Sequence, residues 1–527
     1  MGIPSYFSYI VKNHANIIQK LGSNKFKVNN LYLDANSIIY DCVHKIDFST
    51  GNIETIYRNV FDKIDEYISL IKPDNCVFIA FDGTAPVAKL EQQRQRRHKS
   101  QYQNNVSKTI FKRTDDPWNT TAITPGTTFM IGLNEGIRKR YNDPSKYNLQ
   151  EILLSPSDEY GEGEHKLFQH IRAFPEQHAD QNTVIYGLDA DLIMLSINHL
   201  PVSPNIYLFR ETPEFIKSIN CELEPNETYL MDIPELAKII ALNMNNGEPD
   251  LQRNRIYDYI FMCFFLGNDF MPHFPSVNIR TGGIDKMLNA YKATVGGTND
   301  VLTNGKVIYW KNVRKIVQHL ADAEEENFKK ESSLRDKREK MQMPDITPED
   351  KLRRFDSLPT HDRKFEIFIN PQTPNWQRRY YKTLFDVEID ETRKKQICVN
   401  YLEGLEWTMK YYTGGCADWR WRYNYNYPPL LSDLIHYIPY YETEFISNKK
   451  PAPVSELVQL CYVLPKECLK LLPAKLCDRV LSKYSHWYTD VDNCEFVWAY
   501  CRYFWESHVQ LPEIDIDELE KFVQINR

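Results

Sequence analysis

No run of apolar residues in this chain reaches the 18 or so needed for a membrane-spanning helix. The N-terminus, MGIPSYFSYIVKNH, has no charged stretch followed by a long apolar one, which argues against secretion. N-myristoylation is excluded too, because Tyr6 stands where Ser or Thr is required. None of the eleven cysteines forms a CxxC pair. Scattered thiols of this kind point to a reducing, intracellular setting rather than a disulfide framework or a zinc site. Internal repeats and low-complexity tails are missing. An excess of positive charge is missing as well: 64 Lys and Arg against 71 Asp and Glu give a net charge of −7. That balance argues against a surface coated in nucleic acid but leaves room for a local basic channel.

What is present is length and a recurring arrangement of acids. The 527 residues suffice for two or three domains and a sizeable core. The strand-like Leu31-Tyr32-Leu33 delivers Asp34 at its C-terminal end, with Asn36 close behind. A helix is predicted over roughly Ile53–Ile71, with Ile56, Val60, Ile64, Tyr67 and Ile68 on one face. A buried strand, Val77–Phe81, then ends in Asp82 and turns at Gly83. Val184-Ile185-Tyr186 ends in Gly187, followed by Asp189 and Asp191. Glu162 and Glu164 open a helix, since Leu167, Phe168 and Ile171 follow at helical spacing. A helix from Ile256 to Leu266 runs into GNDFMPHFP and carries Asp269 to its end. Alternating strands and helices with acids at the strands' carboxyl ends predict an α/β fold, a mostly parallel central sheet flanked by helices. Any one of these acids alone reads as a solvated turn residue. Seven at equivalent places repel one another unless a cation sits among them, and oxygen donors favour Mg2+ or Mn2+.

The most basic segment follows Asp82 directly. From Lys89 to Arg113 it holds eight Lys or Arg against the single acid Glu91, with no Pro or Gly. One long helix is predicted, with Lys89, Gln93, Arg96 and Arg97 on a single face. Such a face suits a phosphate, which Arg engages through paired hydrogen bonds; the bland alternative is a solvated basic surface. Residues 320–355 are charge-dense and almost free of aromatics, so an exposed helical connector is expected there. From Pro374 the chain turns aromatic-rich. Its stretch Trp419–Tyr427 reads as core packing in preference to a base-stacking platform.

These stretches together resemble the XRN family of 5′→3′ exoribonucleases. The matching segments are MGIPSYFSYI, LYLDANSIIYDC, VFIAFDGTAPVAKLEQQRQRR, SPSDEYGEGEHK, GLDADLIML, LFRE and FFLGNDFMPHFP. Further on, LEGLEWTMKYYTGGCADWRWRYNYNYPPLLSDL and CYVLPKECLKLLP resemble the family's second region. The resemblance implies a PIN-like 5′ nuclease core over 1–290, a helical, charged connector over 291–373, and a helical, aromatic-rich region over 374–527 that shapes the substrate channel. It also implies a compact form without the long C-terminal extension. Frequent Asn, Ile, Lys and Tyr fit an AT-rich genome such as that of a large virus or a protist.

The resemblance implies that Asp34, Asp82, Glu162, Glu164, Asp189, Asp191 and Asp269 hold two Mg2+ ions. Asp34, Asp82 and Glu164 are expected nearest one ion, and the other four at the second and the bridge. Lys89, Gln93, Arg96 and Arg97 would form the 5′-monophosphate pocket. Tyr40 stands where the family has His and would stack on a base with Trp498 as its partner, with Asn36 also at the RNA. Single-stranded RNA with a 5′-monophosphate is the implied substrate, each cut releasing a nucleoside 5′-monophosphate. The implied setting is RNA decay by a monomer, cytoplasmic or alternatively nuclear, beside the decapping machinery and without a membrane. A flap-type 5′ nuclease on DNA and an inactive RNA-binding scaffold are the competing readings.

Overall fold

The computed structural model of the chain describes residues 5–21, 26–46, 52–113, 118–245, 255–358, 362–446 and 452–526. The first four residues of MGIPSYFSYI therefore lie outside the described residues. A seven-stranded sheet forms the centre, built from β1 (Ile18–Lys20), β2 (Asn30–Asp34), β3 (Cys76–Ala80), β4 (Glu151–Ser155), β5 (Thr183–Tyr186), β6 (Ile206–Glu211) and β7 (Thr228–Asp232), in the spatial order β1-β7-β6-β5-β2-β3-β4. Strands β2 to β6 are parallel, whereas β7 and β1 pair antiparallel at one edge. The chain runs outward from β2 through β3 to β4, then returns to lay β5 against the other side of β2. Between β2 and β5 the strand order reverses, and there an α/β sheet opens a crevice beyond its carboxyl ends.

Alternation along the strands divides the core. Tyr32, Phe78 and Ile185 point to one face, with Leu167, Phe168 and Ile171 of the helix Gly163–Ala173 and Leu192 to Ile197 of the helix Asp191–His199. Leu31, Leu33, Val77, Ile79 and Val184 point to the other, with Ile56, Val60 and Ile64 of the helix Ile53–Ile71. Both faces being covered, these strands carry apolar residues almost continuously. The helix Ile53–Ile71 spans the expected residues and starts at a capping box in which Asn52 accepts from the Thr55 amide. The helix predicted over 256–266 runs from Arg255 to Cys263 and tightens into a 3₁₀ turn over Phe264–Leu266.

The connector is helical, as Trp310–Asp322, Glu324–Glu339 and Pro348–Asp356, but it is not a simple exposed spacer. Glu324, Phe328, Glu331 and Arg335 are buried. Glu324 accepts from the Leu431 and Ser432 amides, and Arg335 donates to Glu366 at 2.5 and 2.7 Å. Its charge density thus serves internal pairing on one side and solvent on the other. The aromatic stretch packs as expected: Trp421 stacks on Trp407 at 5.2 Å, and Tyr423 and Tyr427 are buried. All eleven cysteines are free thiols, and among the described residues no helix is long and apolar enough to cross a membrane.

Candidate active site

Strand ends and helix starts bring the acids together at the crevice. Asp34 closes β2, and Asp82 follows β3 by two residues. Glu162 is the N-cap residue of the helix Gly163–Ala173, Glu164 lies in its first turn, and Asp191 opens the next helix. Helix N-termini favour negative charge, which makes these positions tolerable for acids. The two loops are laced together: the Gly83 amide donates to the Gly161 carbonyl and the Gly161 amide to Thr84, both at 2.8 Å. The buried Lys166 ammonium caps the tips of β3 and β4, donating to the carbonyls of Phe81 at 2.7 Å and Pro156 at 3.0 Å. Gly163 is required by proximity, since a Cβ there would meet Asp34 Oδ1 at 2.7 Å. Its amide instead donates to Asp82 Oδ1 at 2.8 Å.

The electrostatics are those of a cation site. Carboxylate oxygens of Asp34, Asp82 and Glu164 lie within 4.8 Å of one another, as do ligand atoms of Glu162, Glu164 and His165. Burial and the charges of Asp82 and Asp189 raise the Asp34 carboxyl well above its ordinary value. Burial, Glu162 and Asp34 do the same to Glu164, and burial with Asp269 pushes Asp191 up to about 7. Burial is the largest influence and would raise Asp269, but Lys89 and the other cations nearby, Arg96 among them, together hold that carboxyl below the usual range. Lys89 pairs with Asp269 at 2.8 Å and with Glu162. Oδ1 of Asp34 and Oδ1 of Asp191 are buried with no hydrogen-bond partner. Orphaned carboxylate oxygens, upward-shifted acids and a donor set dominated by carboxylates fit divalent metal ions. The cluster can therefore bind metal.

One pocket is lined by Asp34, Asp82, Glu162, Glu164 and Asp189 together with Lys89, Gln93, Arg96, Arg97 and Tyr40. Lys89 to Arg97 belong to the helix Val87–Phe111, as the sequence predicts. Arg97 donates to Thr124 at 2.8 Å, while its Nη1 and one end of the Gln93 amide are buried without partners. Burial draws the Arg97 guanidinium down to about 10, still charged near neutrality. Lys89 departs from the expected grouping, because its ammonium sits among the acids. Arg94 and Lys99 are not a solvated face either. Arg94 donates to the Trp487 carbonyl at 3.3 Å, and Lys99 donates to those of Trp505 and Ser507, each at 2.8 Å.

The expected RNA contacts Asn36 and Trp498 have different surroundings: Asn36 lines this pocket and Trp498 does not. Asn36 spends both ends of its amide on Asp82, donating to Oδ2 at 2.7 Å and accepting from the Asp82 amide at 3.1 Å, so it orients an acid. Trp498 does not line the pocket beside Tyr40. It packs against Leu358, Cys501 and Phe504 and donates its indole N–H to the Asp362 carbonyl at 2.7 Å. Trp505, seven residues further on, lines the adjoining cavity with Arg96, Lys99 and Asp269, and Arg280 lies 5.8 Å over its ring. The sequence carried only a weak signal for it, the second tryptophan of the run VWAYCRYFW. Tyr411, also missed, donates to Glu162 Oε1 at 2.8 Å.

Comparison with known proteins gives this arrangement its context. The family description "XRN 5'-3' exonuclease N-terminus" matches residues 1–212, and "Xrn1 helical domain" matches 250–365 and 369–525. The chain is 26% identical to the 5'-3' exoribonuclease 2 homolog of Drosophila melanogaster, over 99% of this chain and 70% of that protein. It is 26% identical to 5'-3' exoribonuclease 2 of Gallus gallus, over 90% of this chain and 64% of the relative. For 5'-3' exoribonuclease 1 of Saccharomyces cerevisiae the identity is again 26%, over 90% and 40%. The chain thus spans less than two thirds of the chicken and yeast proteins. Among solved structures, the catalytic core of Rad2 in complex with DNA substrate aligns with 67% of this chain and 84% of that one, at 13% identity and a TM-score of 0.33, too slight a likeness to inform the site. The two family matches account for most of the sequence, and the acids and the basic helix described above fall within them: the chain belongs to the XRN 5′→3′ exonuclease family.

Proposed function

We propose that this protein is a 5′→3′ exoribonuclease that hydrolyses single-stranded RNA bearing a 5′-monophosphate, one nucleoside 5′-monophosphate at a time. The observation that carries this reading is the shared pocket, in which Asp34, Asp82, Glu162, Glu164 and Asp189 face one space with Gln93, Arg96 and Arg97. A terminal monophosphate carries nearly two charges and offers three free oxygens, against one charge on an internal phosphodiester. Arg96, and Arg97 with its unpartnered Nη1, would hold that terminus by charge-assisted hydrogen bonds, and Gln93 would add a contact only by donating from its amide nitrogen. Tyr40 and Trp505 would flank the terminal bases, reading no sequence. The next phosphodiester would then lie against Asp34, Asp82, Glu162, Glu164, Asp189, Asp191 and Asp269.

These seven acids would hold two Mg2+ ions, which supply Lewis acidity toward the attacking water, the phosphoryl oxygens and the leaving 3′-oxygen. Asn36 fixes the rotamer of Asp82, and the Gly163 amide fixes its second oxygen. Lys89 balances Glu162 and Asp269, and lies within reach of both the acids and the phosphate pocket. Decapping enzymes would supply the substrate, the cytoplasm would be the site of action, and a monomer carries the whole site.

The test is digestion of one RNA with a 5′-phosphate or a 5′-hydroxyl, with Mg2+ or with chelator. Mononucleotide release from the 5′-phosphorylated RNA in Mg2+ alone is expected. Internal cutting, or equal rates on both ends, would overturn the reading.

A further inference from the structure

Of two adjacent buried tyrosines in the helix Glu391–Gly414, which belongs to the helical second region, one reaches into the acid cluster of the first. Tyr411 is 2% exposed, and its hydroxyl donates to Glu162 Oε1 at 2.8 Å. Tyr412 beside it is 1% exposed and meets the Phe264 ring edge-on at 5.3 Å. A column of rings fixes the first of these. Trp421 stacks on Trp407 at 5.2 Å, Trp407 on Tyr411 at 4.9 Å, and Tyr411 on His165 at 3.8 Å, with Phe270 edge-on at 5.5 Å. His165 lies between Glu164 and Lys166, so the column ends on the helix that carries the acids.

Glu162 therefore has its two oxygens in different company. Oε1 accepts from a neutral, immobile phenol, and Oε2 faces the Lys89 ammonium. A phenol hydrogen bond costs the carboxylate one acceptor site and leaves its charge intact. An ammonium in the same place would neutralise it. Packing alone does not require the hydroxyl, because a Phe would complete the same ring column.

We infer that Tyr411 is a positioning residue for the metal centre, pinning Glu162 Oε1 so that Oε2, which pairs with Lys89 here, is the oxygen left for a metal ion. This rests on the metal-dependent reading proposed above. The helical second region would thus complete the metal site as well as shape the channel.

The test is calorimetric binding of Mn2+ to the RNA-free wild-type protein and to Tyr411→Phe, beside melting curves without metal and kinetics in Mg2+. Loss of an outer hydrogen-bond partner typically weakens metal binding about ten- to a hundredfold. A loss in that range is expected for Tyr411→Phe, with metal-free melting unchanged. Half-maximal activity should need correspondingly more Mg2+, while KM for RNA at saturating Mg2+ stays within about twofold of wild type. Unchanged Mn2+ affinity in Tyr411→Phe would overturn the inference and leave the nuclease reading standing. A markedly lower metal-free melting temperature would also overturn it, by assigning the hydroxyl to folding. Wild-type protein that binds no Mn2+ would overturn the metal-dependent reading itself.

Discussion

Asp191 combines an orphaned, buried oxygen with a carboxyl pushed up to about 7 by burial and by Asp269. Removing it relieves repulsion, so Asp191→Ala should abolish hydrolysis while the metal-free protein melts at or above the wild-type temperature. Turnover of that variant in Mg2+ at the wild-type rate would contradict its place in the centre. Arg97 should act on end recognition. Arg97→Ala is expected to slow decay of 5′-phosphorylated RNA roughly ten- to a hundredfold, the worth of one charge-assisted contact, and to leave 5′-hydroxyl RNA nearly unchanged. Equal proportional losses would return the helix to a general basic surface. Tyr40→Ala and Trp505→Ala should each lose about 1–3 kcal/mol of RNA affinity. Tyr40→His should keep most of it, and Trp498→Ala should change affinity little, which a filter-binding series would read directly. At this scale the sequence was informative for the acids and uninformative for the aromatics. A carboxylate after a buried strand is placed by the strand itself, so Asp34, Asp82 and Asp189 could be read in series. Nothing local says which of two tryptophans in VWAYCRYFW turns toward the cavity, or that Asn36 serves Asp82. Still less does it say that Tyr411 will meet an acid 249 positions away.

The parallel strands and the helix starts make a single element of the acid cluster, and its titration follows from that crowding. Folded-state carboxyls of Asp34, Glu164 and Asp191 stand above their ordinary values, chiefly through burial, so the folded chain holds protons that the unfolded chain has released. Stability from these groups is therefore full below the ordinary carboxylate range and is lost as pH rises toward the folded values, about 7 for Asp191. Asp269, held low by Lys89 and the other cations nearby against the effect of burial, contributes in the opposite sense at lower pH. Metal-free protein should accordingly melt a few degrees lower at pH 8 than at pH 6, and saturating Mg2+ should erase or reverse that difference. A metal-free melting temperature that rises over this interval would contradict the crowding. The basic helix, legible as a helix from its lack of Pro and Gly, was not legible as an axle. Its charges read as one face because spacing shows only angular position, whereas Arg94 and Lys99 are claimed by carbonyls of the C-terminal segments.

On the scale of the molecule, the connector and the second region are locked by a buried ionic knot. Glu366 accepts from Arg335 at 2.5 and 2.7 Å, from Arg363 at 2.8 Å and from the Tyr500 amide at 2.9 Å, with all three charged side chains almost wholly buried. Glu366→Ala leaves the buried Arg335 guanidinium without its acceptor and Arg363 with only the part-exposed Asp336 and Glu339, and should cost about 3–5 kcal/mol, measurable by denaturant unfolding. A loss below about 1 kcal/mol would mean that solvent reaches the knot. Such a knot could not be foreseen, since an acid and two arginines scattered over a charge-dense stretch look like solvated surface. The ring column that ends on Tyr411 has a further consequence, in the order of synthesis. Asp269 is the last of the seven acids to leave a ribosome, and the helix Glu391–Gly414 is made well after it. With Tyr411 holding Glu162, a nascent chain carries every acid of the centre and yet lacks the side chain that aims one of them. On the inference above, the centre would reach its full affinity for metal only once translation has passed Gly414, so a growing chain would need more Mg2+ than a finished one.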